Sequence, residues 1–350
     1  MIGERLKRAR SATGLSMAKL GKAVGVSANM IKKYEHNDSM PSSSVLIKMA
    51  EALGVRTEFF FRPMTVTLSG IEYRKKASTP QKVLDKITAD VLDQAERWLE
   101  LKNLWPEFPI PSFQRPANMP AVSTLNDLEA FSVEVRRAWQ LGLNPLPDMI
   151  DMLESKGVLV IVTDSDQADK VDGMQATVEK QPVIVISDQW PGCRQRFTLA
   201  HELGHLLLEG VLPENIDEEQ ACNRFASAFL LPGDGAIEHL GAQRQNIDWK
   251  ELYLLKHEYG LSMASILYRC LALGILSKQK CHSLFIQFSA NGWRRKEPGQ
   301  PYPKEQTLLF EQLVYRGAGE GLISDSKAAE LLKMPVARFR QSKMMEGAEA

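Results

Sequence analysis

The chain has 350 residues, 44% of them hydrophobic and 25% charged, and its 43 Lys and Arg balance 43 Asp and Glu. That length exceeds the roughly 250–300 residues at which a single core stops growing, so two or three domains are expected. Met1 to Arg10 is polar and basic without the apolar centre of a signal peptide, and no run of 18 apolar residues exists, so a cytoplasmic protein with no membrane partner is expected.

Helical signals open the chain. Ile2 to Thr13 is basic and amphipathic, Ser16 is placed to cap a helix to Val24, Gly25 turns, Ser27 caps a helix to about His36, and Pro41-Ser42-Ser43-Ser44 opens Val45 to Leu53. Helix, short glycine turn, helix is the grammar of a helix-turn-helix DNA-binding unit. Residues 1–50 carry a net charge of +6 in a neutral chain, which suits a phosphate backbone. The second helix would present Ser27, Ala28, Asn29, Lys32 and Lys33 to the major groove, Asn29 and the lysines reaching base edges and Ala28 a thymine methyl. The run Leu15 to Glu35, with Tyr34-Glu35 and the following Pro41, resembles the XRE/Cro type of phage-repressor domain, with Met17 where glutamine is common. The resemblance implies a five-helix-type domain over residues 1–63, a double-stranded DNA operator as partner, and a homodimer reading paired half-sites.

A helical connector and Pro-rich linker are expected over residues 64–122. A Thr/Val run comes first. Gln81 to Leu104 then has Val83, Ile87, Val91, Ala95, Trp98 and Leu101 at helical spacing, and prolines at 106, 109, 111, 116 and 120 predict an extended stretch. Leu125 to Trp139 and Pro147 to Lys156 again read as helices. The period then changes, with Val158 to Thr163 and Val183 to Ser187 as β-branched strands separated by turns at Asp172-Gly173 and Glu179 to Pro182. The second strand is expected at an edge of a small sheet, where an extended substrate can add to it.

The pentapeptide His201-Glu202-Leu203-Gly204-His205 follows. Histidines four apart share one helical face and can close on one zinc ion, while Glu202 beside them can take a proton from a zinc-activated water. An accidental match is expected in about one chain in a hundred of this size, so the context must agree. It does, since Phe197, the two histidines and Leu208 form one stripe. Catalytic zinc takes a third protein ligand. The metzincin extension would need Gly at 208 and His at 211, where this chain has Leu208 and Val211. A second helix from Ile216 to Leu231 offers Glu219, with Cys222, Asn223 and Ala226 on the same face and Asn223 as an outer hydrogen-bonding group; Glu218 points about 100° away. Glu209, Glu214 and His239 are the other candidates.

The blocks Arg196 to Leu208 and Glu219 to Pro232, R-F-T-L-A-H-E-L-G-H-L-L-L and E-Q-A-C-N-R-F-A-S-A-F-L-L-P, closely resemble the ImmA/IrrE family of bacterial metallo-endopeptidases. The resemblance implies Glu219 as third ligand, Zn2+ as cofactor, and a repressor-type regulator as protein substrate. It also implies a peptidase domain over residues 123–298, with helices at Trp249 to Lys256 and Ser262 to Leu273 as a cover from which Tyr253, Tyr268, His257 or His239 donates a hydrogen bond in the transition state.

A C-terminal helical extension over residues 299–350 is expected, with helices near Leu308 to Val314 and Ala328 to Met334 and a frayed end from Met344. Cys193, Cys222, Cys270 and Cys281 show no C-x-x-C pairing and read as free thiols of a reducing cytosol, Cys222 as a packing residue. The chain is thus expected to be mainly α, a helix-turn-helix domain followed by an α+β zincin-like domain with a small sheet and a helical C-terminal cover. The expected function is that of a DNA-binding zinc endopeptidase. The alternative is a transcriptional regulator, antitoxin-like, whose zincin domain is a sensor or structural module; retention of Glu202, which a purely structural zinc site does not need, favours the enzyme.

Overall fold

A computed structural model describes residues 2–62, 68–75, 80–163, 171–178 and 180–345. Four helices come first: α1 (Ile2–Ala12), α2 (Met17–Val24), α3 (Ala28–Glu35) and α4 (Ser43–Leu53). The hydroxyls of Ser16, Ser27 and Ser42 accept from the backbone N–H of Lys19, Met30 and Val45, satisfying donors that each helix start leaves open. Gly25 takes the left-handed conformation at φ 81. A Cβ on Gly21 would lie 2.6 Å from the carbonyl oxygen of Val26, so only glycine lets α3 fold back this closely on α2. Leu6, Leu20, Val24, Ile31, Met49 and Phe60 fill the core. The fifth element is a 3-10 turn, Thr57–Phe61; Pro63 disfavours helical geometry at Arg62, which is extended at ψ 138.

The rest of the chain is built on a four-stranded sheet of β1 (Leu68–Lys75), β2 (Leu159–Thr163), β3 (Val171–Val178) and β4 (Gln181–Ser187), in the order β1-β3-β4-β2. β2 runs parallel to β4, while β3 is antiparallel to both β4 and β1. Two expectations are corrected here. Asp172-Gly173 lies within a strand, because Val178 pairs with Gln181 and leaves a two-residue connection in which Lys180 sits at φ 71. β4, the second strand read from the sequence, is internal and flanked by β3 and β2, so its backbone is already paired and cannot accept a substrate strand. The period-2 pattern identifies strands but not the order in which they pair.

Alternation along the strands gives the sheet two apolar faces. Val160, Ile184 and Ile186 pack into one core with α6 (Asp127–Ala138), α7 (Met149–Ser155), α8 (Gly192–Leu208) and α9 (Glu218–Leu230). Leu159, Ile161, Val183 and Val185 pack into a second core against α5 (Gln81–Leu104), the segment expected as a connector. α10 (Gly233–Leu240), α11 (Trp249–Tyr259), α12 (Met263–Ala272) and α13 (Lys278–Ala290) cover the first core. The last helices, α14 (Leu309–Gly319), α15 (Asp325–Leu331) and α16 (Val336–Lys343), join α5 over the second face, with Val314, Ala328 and Phe339 fully buried. Between these groups the strap ending at Glu305 is pinned inside. The Glu305 carboxylate pairs with Arg196 of α8 at 2.6 Å and accepts from the Met149 and Ile150 backbone N–H at 2.7 and 3.2 Å, closing the start of α7. No described helix is long and apolar enough to cross a membrane. All four cysteines are free thiols. The frayed end expected from Met344 falls largely on residues 346–350, outside the described residues.

Glu154 of α7 is 3% exposed, and burial, aided by Asp151 and Asp148, pushes its carboxyl up to about 8 from an ordinary 4.5. Below about pH 4.5 the group is neutral in both folded and unfolded chains. As pH rises towards 8 the unfolded chain ionises first, so folding loses stability across that window. The denaturation midpoint of Glu154→Gln relative to wild type is therefore expected to rise from near zero difference below about pH 4 to a plateau above about pH 9. A difference independent of pH would show that this carboxyl does not titrate in that window.

Candidate metal centre and nucleic-acid interface

α8 is buried on nearly every side, with Leu199, Ala200, Leu203 and Leu207 in the first core. Gly204 faces α9. A Cβ there would lie 3.2 Å from both the Cα of Cys222 and the Cδ1 of Phe225, so the missing side chain sets how closely the two helices meet. Cys222 fills this contact at 0% exposure, as its expected packing role requires. One turn before it, the first turn of α9 is fixed by Asp217, whose carboxylate accepts from the Gln220 backbone N–H at 2.8 Å. The acidic Glu218 and Glu219 thus stand at the positive end of the helix, opposite the histidines of α8.

Both imidazoles are oriented from behind. His201 Nδ1 lies 3.0 Å from Asn223 Oδ1, and His205 Nδ1 lies 2.8 Å from Glu218 Oε1. Each acceptor holds a proton on Nδ1 and leaves the Nε2 lone pair facing forward. The two Nε2 atoms are 3.0 Å apart, and the Glu219 carboxylate reaches both, Oε2 at 3.4 Å from His201 and Oε1 at 3.4 Å from His205. In a tetrahedral zinc site with bonds of 2.0–2.1 Å, neighbouring donors stand roughly 3.3 Å apart. The donor triangle has the size and the N/N/O chemistry that zinc requires. Two lone pairs and a carboxylate this close repel one another unless a cation sits among them. Glu219 is 55% exposed and His201 is fully buried, so the centre opens to solvent on the carboxylate side.

The structure brings His201, His205 and Glu219 together with Asn223 behind His201, and Glu202 lies on the same turn at 4% exposure. Glu218 is a correction. Helical spacing turns it about 100° away from Glu219, yet its carboxylate holds His205. At the end of α9 aimed at the ring, carboxylates 100° apart reach its two nitrogens, one each. The signal available in the sequence was the pair of adjacent acids in a first helical turn. The remaining candidates are engaged elsewhere: Glu209 pairs with Arg115 at 2.5 Å and His239 with Glu258 at 3.4 Å, while Glu214 is exposed on the surface. Tyr253 packs on His257 at 4.6 Å and Tyr268 on Phe285 at 4.6 Å, in the helical cover.

On α3 and its cap, Ser27, Ala28, Asn29, Lys32 and Lys33 are exposed, while Ile31, Tyr34 and Glu35 face inward. Not all the positive charge of this region points outward. Arg10 forms a two-pronged pair with buried Glu35 at 2.5 and 2.9 Å, and Arg5 and Arg8 both grip Glu96 of α5 at 2.5 and 2.6 Å. These arginines hold the domain together and dock it, while the lysines of α2 and α3, with Lys7, Lys48 and Arg56, carry outward charge. Met17 is half-buried against the domain core, so its side chain packs where a polar one would reach outward.

Residues 153–271 match the peptidase family described as the IrrE N-terminal-like domain, and residues 6–60 match the helix-turn-helix family. Among curated relatives, an SPbeta prophage-derived HTH-type transcriptional regulator of Bacillus subtilis is 34% identical over 62 residues, 18% of this chain and 57% of its own length. A transcriptional regulator in the ATPase CF(0) region of Rhodospirillum rubrum is 37% identical over 60 residues, 17% of this chain and 56% of its own. An HTH-type transcriptional regulatory protein of Pyrococcus furiosus is 32% identical over 95 residues, 27% of this chain and 28% of its own. The chain therefore spans between about a quarter and just over half the length of these relatives.

Because Gly204 sets the distance between α8 and α9, Gly204→Val is expected to push Glu219 off the histidines and weaken zinc binding by about tenfold or more, read by competition with a chelator. Zinc affinity equal to wild type would show that the close approach does not position the carboxylate.

Proposed function

We propose that this chain, which joins a helix-turn-helix domain to an IrrE N-terminal-like domain of a peptidase family, is a DNA-binding zinc endopeptidase that cuts a repressor-type regulatory protein. The observation that carries the reading is the pair of Nδ1-anchored imidazoles whose Nε2 atoms converge with the Glu219 carboxylate. Zinc bound there supplies Lewis-acid polarisation of the scissile carbonyl and lowers the pKa of water. Asn223 and Glu218 hold the two rings in the tautomer and orientation that ligation needs. Glu202 takes the proton of the attacking water and returns it to the departing amine, so one carboxylate serves both halves of peptide hydrolysis. The open side at Glu219 admits a polypeptide, and the buried side at His201 excludes bulk water. The helix-turn-helix domain brings this centre to DNA through Asn29, Lys32 and Lys33, where a repressor bound nearby becomes the substrate. The relatives described as transcriptional regulators favour a second reading, in which the chain regulates transcription and the metal domain senses without cutting.

Elemental analysis with the regulators encoded beside the gene separates the two. One zinc per chain is expected in wild type and Glu202→Gln and is lost in Glu219→Ala, while cleavage falls about 10²–10⁴-fold in Glu202→Gln. Zinc at full occupancy without cleavage by wild type would select the sensor, and loss of zinc in Glu202→Gln would remove that residue from the base role.

On duplex DNA of arbitrary sequence, Lys32→Ala with Lys33→Ala is expected to flatten the dependence of log affinity on log salt by about two units. An unchanged slope would take both lysines out of the interface.

A further inference from the structure

A cavity of about 640 Å³ lies where the helix-turn-helix domain meets α5 and the turn between α15 and α16. Its size falls in the range of small-molecule sites, roughly 300–1,000 Å³. One part of its wall is apolar: Ala9 and Ala12 of α1, Leu53 and Phe59 from the other end of the domain, and Ala329 of α15. Of these, Ala9, Leu53, Phe59 and Ala329 are each less than a tenth exposed.

The charged part of the wall is unevenly committed. Arg97 and Lys333 share Asp93 at 3.2 and 2.5 Å, Arg8 is held by Glu96, and Arg62 pairs with Glu330. Arg56 lines the cavity, is exposed, and has no ion pair among the described residues. Asp90 is the one lining carboxylate outside these pairs. It accepts from Gln94 at 3.0 Å, and burial raises its pKa, which weakens its claim on a cation. The cavity thus combines an apolar floor with a spare guanidinium.

We infer that this cavity is a binding site for a small amphipathic organic anion, its apolar body against Leu53, Phe59 and Ala12 and its acidic group on Arg56. A ligand there touches the helix-turn-helix domain on one side and α5 with α15 on the other. Its binding energy therefore depends on how the domain is seated, the condition for coupling occupancy to DNA binding. The site is separate from the metal centre and does not rest on peptidase activity.

The test uses full-length protein and two fluorescent probes of nearly the same shape, anionic 8-anilinonaphthalene-1-sulfonate and neutral N-phenyl-1-naphthylamine. One sulfonate probe per chain is expected, with a dissociation constant on the order of 10 μM and affinity at least about tenfold above that of the neutral probe. Ala12→Trp places an indole against the apolar wall where the body of either probe would lie and is expected to weaken binding of both by about tenfold or more. Arg56→Glu is expected to reduce sulfonate binding to the level of the neutral probe and leave the neutral probe unchanged. Equal affinity for the two probes, or sulfonate affinity unchanged by Ala12→Trp, overturns the inference. Arg56 is exposed and its replacement disturbs no core, so where Ala12→Trp unsettles α1 the outcome rests on this variant, and unchanged sulfonate affinity overturns the inference.

Discussion

The approach of α9 to α8 at Gly204 is the constraint on which the candidate site depends. Without a side chain at 204, Cys222 and Phe225 pack directly on the helix that carries both histidines, and the first turn of α9 is carried to the imidazoles. Three groups then meet with their lone pairs converging, and two more hold the rings from behind. None of the five could hold this geometry alone. An exposed carboxylate such as Glu219 has rotamer freedom, and a histidine without a second partner has two tautomers to choose from. Backbone closeness at one glycine converts these choices into one arrangement.

That helix pair is held in turn by a sheet buried on both faces. Strands covered on one side read as apolar and polar alternation, but Val183 to Ile186 is apolar throughout because α8 lies on one face and α5 with the last helices on the other. The consequence reaches the N-terminal domain. α5, whose inner stripe closes the second core, also presents Glu96 to Arg5 and Arg8, so the same helix covers the sheet and seats the DNA-binding unit. Buried pairs of this kind are costly to break one partner at a time, which favours a defined seating over a free tether. The cavity beside that contact is the space left where three convex helical surfaces meet.

The parts that could be read from the sequence are those governed by local rules. Serine caps, the left-handed Gly25 and the outward face of α3 follow from residues a few positions apart, as do the two histidines of one turn and Asn223 one turn beyond Glu219. The parts that could not be read depend on pairing across the chain. Strand order placed β4 inside the sheet although its composition suits either an edge or a centre. β3 runs on past its pairing with β4, so Gly173 pairs with Arg74 of β1 alone and the register shifts at Asp172, where the turn propensity of Asp172-Gly173 is accommodated as an irregularity within a strand. Glu218 was missed because an angle measured on one helix says little about a target lying beyond its end.

The central claim is that the donor set consists of two imidazole nitrogens and carboxylate oxygen, with the nearby Cys222 thiol left out. Cys222 also falls within 4.8 Å of His205 and Glu218 ligand atoms, so a sulfur-containing alternative is geometrically within reach. X-ray absorption at the zinc edge of the purified full-length protein separates the two directly. The account predicts only nitrogen and oxygen neighbours at about 2.0–2.1 Å, with the multiple-scattering pattern of two imidazoles. A sulfur neighbour at about 2.3 Å would contradict it and move the centre onto Cys222.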